Sequence, residues 1–179
     1  MGKAAGPKGS TPPSASARGL RVAVLQSSFN EVVVAGLAQG AAEALAVMGA
    51  TGVVAVSVPG AFELPLAARA AATSGRFDAI VALGAVVRGE TDHYEHIARE
   101  AAGGLAAVAR ETGVPVGFGV LTVDTEALAL ARSAPGPDNK GAEAARAAVA
   151  MVHVLRALGP RRRRAAPRVG LARARPRRR

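Results

Sequence analysis

Cysteine and tryptophan are both absent from this 179-residue chain, and four phenylalanines and one tyrosine make up its aromatics. Without cysteine there is no disulfide framework, no thiolate metal site and no cysteine nucleophile. Long hydrophobic runs are missing as well. The longest clean one, AIVALGAVV from Ala79 to Val87, is half of the roughly 18 residues that a membrane helix needs, and the N-terminus has no apolar signal core. These absences give the expectation of a soluble, cytoplasmic protein. Acids are missing at one end: from Arg161 to Arg179 there are ten arginines and no Asp or Glu, and elsewhere the 13 other basic residues match the 13 acids. The formal charge of +10 therefore describes a tail.

What is present is one domain's worth of apolar sequence between two polar ends. The opening MGKAAGPKGSTPPSASARG is too rich in Gly, Pro and Ser to bury an apolar face. Residues 1–19 are therefore expected to be a disordered extension, 20–159 a compact domain, and 160–179 a disordered arginine-rich tail. Such a tail can bind nucleic acid through phosphates in a salt-sensitive, sequence-blind way. It has no interleaved aromatics, so a solvated extension is the favoured reading.

Within the domain, short β-branched runs alternate with helix-length ones. LRVAVLQ (20–26), VVAVSV (53–58), DAIVALGAVV (78–87) and VPVGFGVLT (114–122) are apolar on both faces, as strands covered on two sides by helices are. The first helix is expected after a capping Asn30 and ends at Gly49; the second spans 64–73. A third starts at the Asp92-x-x-Glu95 pair and closes at Gly113. A fourth follows Asp124 up to the Pro135-Gly136-Pro137 turn, and the last begins after Asn139 and runs to Gly159. Strands separated by helices imply right-handed parallel crossovers, hence an α/β sheet with helices on both faces. Ligands of such sheets lie at the carboxyl ends of the strands.

The loops leaving those ends hold much of the unusual chemistry. GAVVRGET (84–91) has the outline of a phosphate loop, but Glu90 stands where a nucleotide-triphosphate loop needs its lysine, which excludes a Walker-type ATPase. Free N–H groups at a helix start, reached through Gly89, still suit one phosphate, and the alternative is a turn capped by Thr91. His93 sits just inside that helix start, where its imidazole either serves as a general acid/base or is merely solvated. His93-x-x-His96 has the look of a metal pair but lacks a third ligand at fixed spacing, so no metal is expected. His153 reads as structural.

Phe29 follows the first strand, where it either stacks on a planar ring or ends the core; Phe118 carries the same two readings. Glu63 in VPGAFELP is placed to accept hydrogen bonds from hydroxyls or to cap the next helix. Arg132 and Lys140 flank the Pro-Gly-Pro turn as a pair of anion clamps or as solvated helix-end cations.

Taken together, FN (29–30), VPGAFELP (58–65), GAVVRGETDHYEHI (84–97), GVPVGFGVLT (113–122) and NKGAEAA (139–145) resemble, in order and spacing, the 6,7-dimethyl-8-ribityllumazine synthase family over about residues 20–158. The resemblance implies a flavodoxin-like three-layer αβα sandwich with a four-stranded parallel sheet. It implies condensation of 5-amino-6-(D-ribitylamino)uracil with 3,4-dihydroxy-2-butanone 4-phosphate, with release of phosphate and water and no cofactor. It also implies homopentamers, decamers or icosahedral shells of about 60 subunits.

By the same resemblance Phe29 stacks on the pyrimidine, Ala61, Phe62 and Glu63 hold the ribityl chain, and Ala85, Val86 and Val87 read the ring through their backbone. Glu90, Thr91 and Arg132 receive the phosphate, and His93 moves protons. Phe118, Arg132 and Lys140 are implied to come from a neighbouring subunit. Ala131 precedes Arg132 where many members have an acid, and neither end of the chain belongs to the common pattern. The alternatives are a catalytically silent shell or flavin-binding assembly of the same fold, and a related riboflavin-forming enzyme.

Overall fold

In the computed structural model, which describes residues 15–159, four parallel strands form one sheet in the order β2-β1-β3-β4. The strands are β1 (Arg21–Ser27), β2 (Gly52–Val58), β3 (Ala79–Val87) and β4 (Val116–Val123). The helices are α1 (Glu31–Val47), α2 (Leu64–Thr73), α3 (His93–Thr112), α4 (Glu126–Ser133) and α5 (Lys140–Leu158), and a 3-10 turn, Ala61–Glu63, leads into α2. This is the expected α/β sandwich.

Alternation along the strands divides the core in two. Val22 and Val24 of β1 with Val81 and Leu83 of β3 face α1, α4 and α5, burying Leu37, Ala129 and Val149. Ala23, Leu25, Ile80 and Ala82 face α2 and α3, against Leu64, Ala68 and Leu105. Full burial of each such Leu or Ile contributes about 1.5–3 kcal/mol. β3 is central and is buried along nearly its whole length, which is why it carries the longest apolar run in the sequence. Gly113, at φ +70°, ends α3 in a left-handed conformation that a side chain disfavours.

Three expectations are corrected. β2 is not covered on both sides: Val53, Val54 and Val56 are each about 40% exposed, because β2 is an edge strand with β1 on one flank only. The expected caps of α1 and α3 do not form, since neither Asn30 nor Asp92 makes a side-chain capping bond. Thr125 and Asn139 do cap, at α4 and α5. Finally, packing begins before residue 20. Ala17 is fully buried, its N–H bonds the Met48 carbonyl at 2.8 Å, and the Ser16 carbonyl meets His153 Nε2 at 2.7 Å. Small alanines fit the gap between the α1 turn and α5 that composition alone assigned to solvent. Residues 1–14 of that expected extension, and the expected tail 160–179, lie outside the described residues.

At the amino end of the sheet Asp78 accepts from the Arg21 backbone N–H at 2.8 Å and from Arg21 Nε at 3.3 Å, with Arg156 at 3.9 Å. Partial burial pushes this carboxyl up, but the hydrogen bonds from Arg21 and the charges of Arg21 and Arg156 outweigh it and hold the group below its ordinary range.

Candidate active site

Strand order reverses between β1 and β3: the chain leaves β1 towards β2 and returns past it to β3. A crevice opens at the carboxyl ends of a sheet at such a switch point. Four segments close around it. The loop after β1 is tied to the end of β2 by the Ser28 N–H to Val58 carbonyl bond at 2.8 Å and by Ser28 Oγ to Ser57 Oγ at 2.9 Å. Asn30 takes a left-handed conformation (φ 58°) and its Nδ2 donates to the Ala85 carbonyl at 2.8 Å. Phe29 is thereby left 72% exposed at the crevice mouth, which excludes the reading of it as a core residue.

After β2, the Pro59-Gly60 turn and the 3-10 turn bring Ala61, Phe62 and Glu63 to the same crevice. Glu63 stands at the cap position of α2, yet its side chain makes no capping bond, so its carboxylate is left for the cavity. The end of β3 supplies Ala85, Val86 and Val87, and the start of α3 supplies His93. Between them the loop is braced from outside: Arg88 Nε bonds Asp124 Oδ1 at 2.9 Å while its guanidinium lies 4.9 Å over the Tyr94 ring.

The result is an open cavity of about 790 Å³ lined by Phe29, Ala61, Phe62, Glu63, Ala85, Val86, Val87, Thr91 and His93. That volume lies in the range of small-molecule sites, and its apolar walls carry a few converging polar groups, as such sites do. Asn30, Tyr94, His96 and Ile97 also line it, although sequence reasoning assigned none of them a binding role. Glu90 does not: it is exposed on the loop and absent from the lining. Gly89 is at the wall, and a side chain there would meet nothing within 4 Å, so its glycine is not demanded by crowding. Among the described residues no group of three His, Asp or Glu is placed to hold a metal ion.

Phe118, Arg132 and Lys140 are elsewhere. They line a second, smaller groove of about 400 Å³ along β4, the opposite edge strand, with residues of α5 on its wall. The two cavities share no lining residue. Phe118 is 46% exposed there, Lys140 is paired with Glu143, and Arg132 has no ion-pair partner among the described residues. The first cavity has no Lys or Arg in its lining, and the second has no histidine. The imidazoles and the cations are thus in different cavities, each of which has aromatic and carboxylate side chains of its own.

An αβα sandwich with an open, aromatic-rimmed crevice at its switch point is a flavodoxin-like fold with a site of small-molecule size. Residues 19–156 match the family model described as 6,7-dimethyl-8-ribityllumazine synthase. The chain is also similar to the 6,7-dimethyl-8-ribityllumazine synthase of Edwardsiella ictaluri (strain 93-146), at 50% identity over 141 residues covering 77% of this chain and 90% of the relative. The chain belongs to the 6,7-dimethyl-8-ribityllumazine synthase family.

Proposed function

We propose that this chain catalyses the condensation of 5-amino-6-(D-ribitylamino)uracil with 3,4-dihydroxy-2-butanone 4-phosphate to 6,7-dimethyl-8-ribityllumazine, in riboflavin biosynthesis. The carrying observation is the cavity that gathers Phe29, Glu63 and His93 at the switch point. In this reading the exposed Phe29 ring stacks on the flat pyrimidine. Glu63 accepts hydrogen bonds from ribityl hydroxyls beside Ala61 and Phe62, and the β3 end, Ala85 to Val87, offers backbone groups to the ring. Thr91, at the start of α3, faces the phosphate, with Glu90 on the rim of that loop.

The site is completed by a neighbouring copy. The phosphate of the ketone carries negative charge and the first cavity lines no cation against it, whereas Arg132 and Lys140 stand in the β4 groove with Phe118. A homopentamer that sets the groove of one chain against the crevice of the next supplies what each lacks. The exposed valines of β2 with Phe62 and Leu66 give that association an apolar surface to bury. A pentamer of 17.9 kDa chains has a mass of roughly 90 kDa. A charged, phosphorylated substrate is retained inside the cell, so a cytoplasmic location goes with this reading.

Chemically little more is required. The pyrimidine's primary amine adds to the ketone carbonyl and loses water to form an imine; phosphate then leaves from the adjacent carbon chain, and the ribityl-bearing nitrogen closes the ring with loss of a second water. Each step moves a proton, which His93 is placed to accept and return, while binding holds the two reactants together. No metal or organic cofactor is called for. The test is to mix purified protein with both substrates and follow the absorbance of the product. Formation of the lumazine is expected. Riboflavin as the product, or binding of substrate without turnover, would overturn the reading.

A further inference from the structure

Arg132 and Lys140 lie on different helices, separated by the Pro135-Gly136-Pro137 turn, yet they line one groove. One buried side chain fixes that juxtaposition. Asn139 is 2% exposed. Its Oδ1 accepts from the Gly141 and Ala142 N–H groups at 2.9 and 3.0 Å, which anchors the first turn of α5 and so Lys140. Its Nδ2 donates to the Ser133 and Ala134 carbonyls at 2.7 and 3.1 Å, which anchors the end of α4 one residue from Arg132, and to the Gly36 carbonyl of α1 at 3.0 Å. Both halves of the amide are therefore in use, and they hold three helices.

The surroundings are cut to admit it. A Cβ at Gly40 would collide with the Asn139 amide, and one at Gly141 would collide with the Leu37 backbone, so α1 and α5 meet closely enough for the amide to bridge them only because both positions are glycine. Capping a helix needs an acceptor alone, which Ser, Thr or Asp provides as well as Asn. The donor half is surplus to capping, and it is the half that reaches α4 and α1.

We propose that Asn139 is a positioning residue for phosphate recognition: its amide sets the distance and direction between Arg132 and Lys140, and through them the affinity for the phosphorylated ketone. This rests on the reading that those two cations hold the phosphate. The donor and acceptor halves separate cleanly in substitution. Asn139→Ser keeps a capping oxygen and cannot span to α4 and α1. Asn139→Asp keeps the acceptor at full length and replaces the donor by an oxygen facing three carbonyls.

The experiment compares the full-length wild type, Asn139→Ser, Asn139→Asp, Arg132→Ala and Asn139→Ser/Arg132→Ala, measuring kcat, KM for each substrate, and inhibition by inorganic phosphate. Both Asn139 variants are expected to raise KM for the ketone phosphate about tenfold. They should weaken phosphate inhibition in parallel and leave KM for the pyrimidine within about twofold. The double variant is expected to be no worse for ketone binding than Arg132→Ala alone, because the two changes remove one interaction. Equal loss of affinity for both substrates, or full additivity, marks a merely structural role and overturns the inference. So does an unchanged KM for the ketone phosphate in the Asn139 variants when Arg132→Ala raises it. If Arg132→Ala itself leaves that KM and phosphate inhibition unchanged, the groove is not the phosphate site and the underlying reading fails first. Should one Asn139 variant not fold, the other carries the comparison; failure of both to fold overturns the inference in favour of a structural clamp.

Discussion

Asn30 Nδ2 donates to the Ala85 carbonyl at 2.8 Å, joining the loop that leaves β1 to the carboxyl end of β3 across the switch point. The bond holds Asn30 in its left-handed conformation, the one positive φ at a non-glycine residue among those described. It anchors the backbone next to the exposed Phe29. Asn30→Ala loses the bond and places an alanine where left-handed backbone costs about 1–2 kcal/mol, on top of about 0.5–1.5 kcal/mol for the hydrogen bond. Asn30→Gly loses only the second. Urea unfolding at fixed protein concentration is expected to rank the three as wild type, then Gly, then Ala. An alanine variant as stable as wild type would show that the bond is idle.

His93 heads α3 and lines the cavity that contains Phe29 and Glu63. As the proton carrier it adds to a rate already raised by holding two reactants together. His93→Ala is therefore expected to lower kcat by about one to two orders of magnitude without abolishing turnover, with KM for both substrates little changed. Complete loss of activity with substrate binding intact would assign proton transfer a larger share than proximity.

The Asp78 carboxyl is held below its ordinary range by Arg21 and Arg156 despite the opposing effect of burial. A group whose acidity is strengthened by folding stabilises the native state above its unfolded pKa, about 3.9 for Asp, and that contribution is lost as pH falls through the lower native value. The size is small, under about 1 kcal/mol, because the Arg21 side chain is largely solvated. Asp78→Asn is expected to be slightly less stable than wild type at neutral pH and to converge with it in acid, once the carboxylate is protonated in the native state. A gap that stays constant through acid would remove the ion pair from the account.

Much of the fold was legible because its signals are local. Apolar runs of strand length bounded by glycine mark β1 to β4, and α2 falls on residues 64–73 as its spacing implies. The last helix begins after Asn139, as its sequence implies. What is absent from local pattern is everything decided between distant segments. Asn30 and Asp92 carry capping residue types, but Asn30 is recruited by Ala85, 55 positions away. The edge position of β2 depends on strand order, which its apolar run does not encode, so its exposure was missed. The residue types of the site can be picked out from local pattern, but their division between two cavities is implied only by the family resemblance, since Arg132 and Lys140 differ in no local way from solvated helix-end cations. The second use of Asn139, as a donor to α4 and α1, is invisible without the packing of three helices.

The central claim is that a crevice on one chain and a groove on the next make one site, and complementation between subunits tests it most directly. One variant carries Phe29→Ala and His93→Ala, disabling the crevice; the other carries Arg132→Ala and Lys140→Ala, disabling the groove. Each alone should form lumazine at a small fraction of the wild-type rate. Co-assembled from equal amounts, random mixing leaves about a quarter of the interfaces with both halves intact, and activity is expected to rise towards that fraction of wild type. A mixture no more active than the mean of its two components would contradict a shared site.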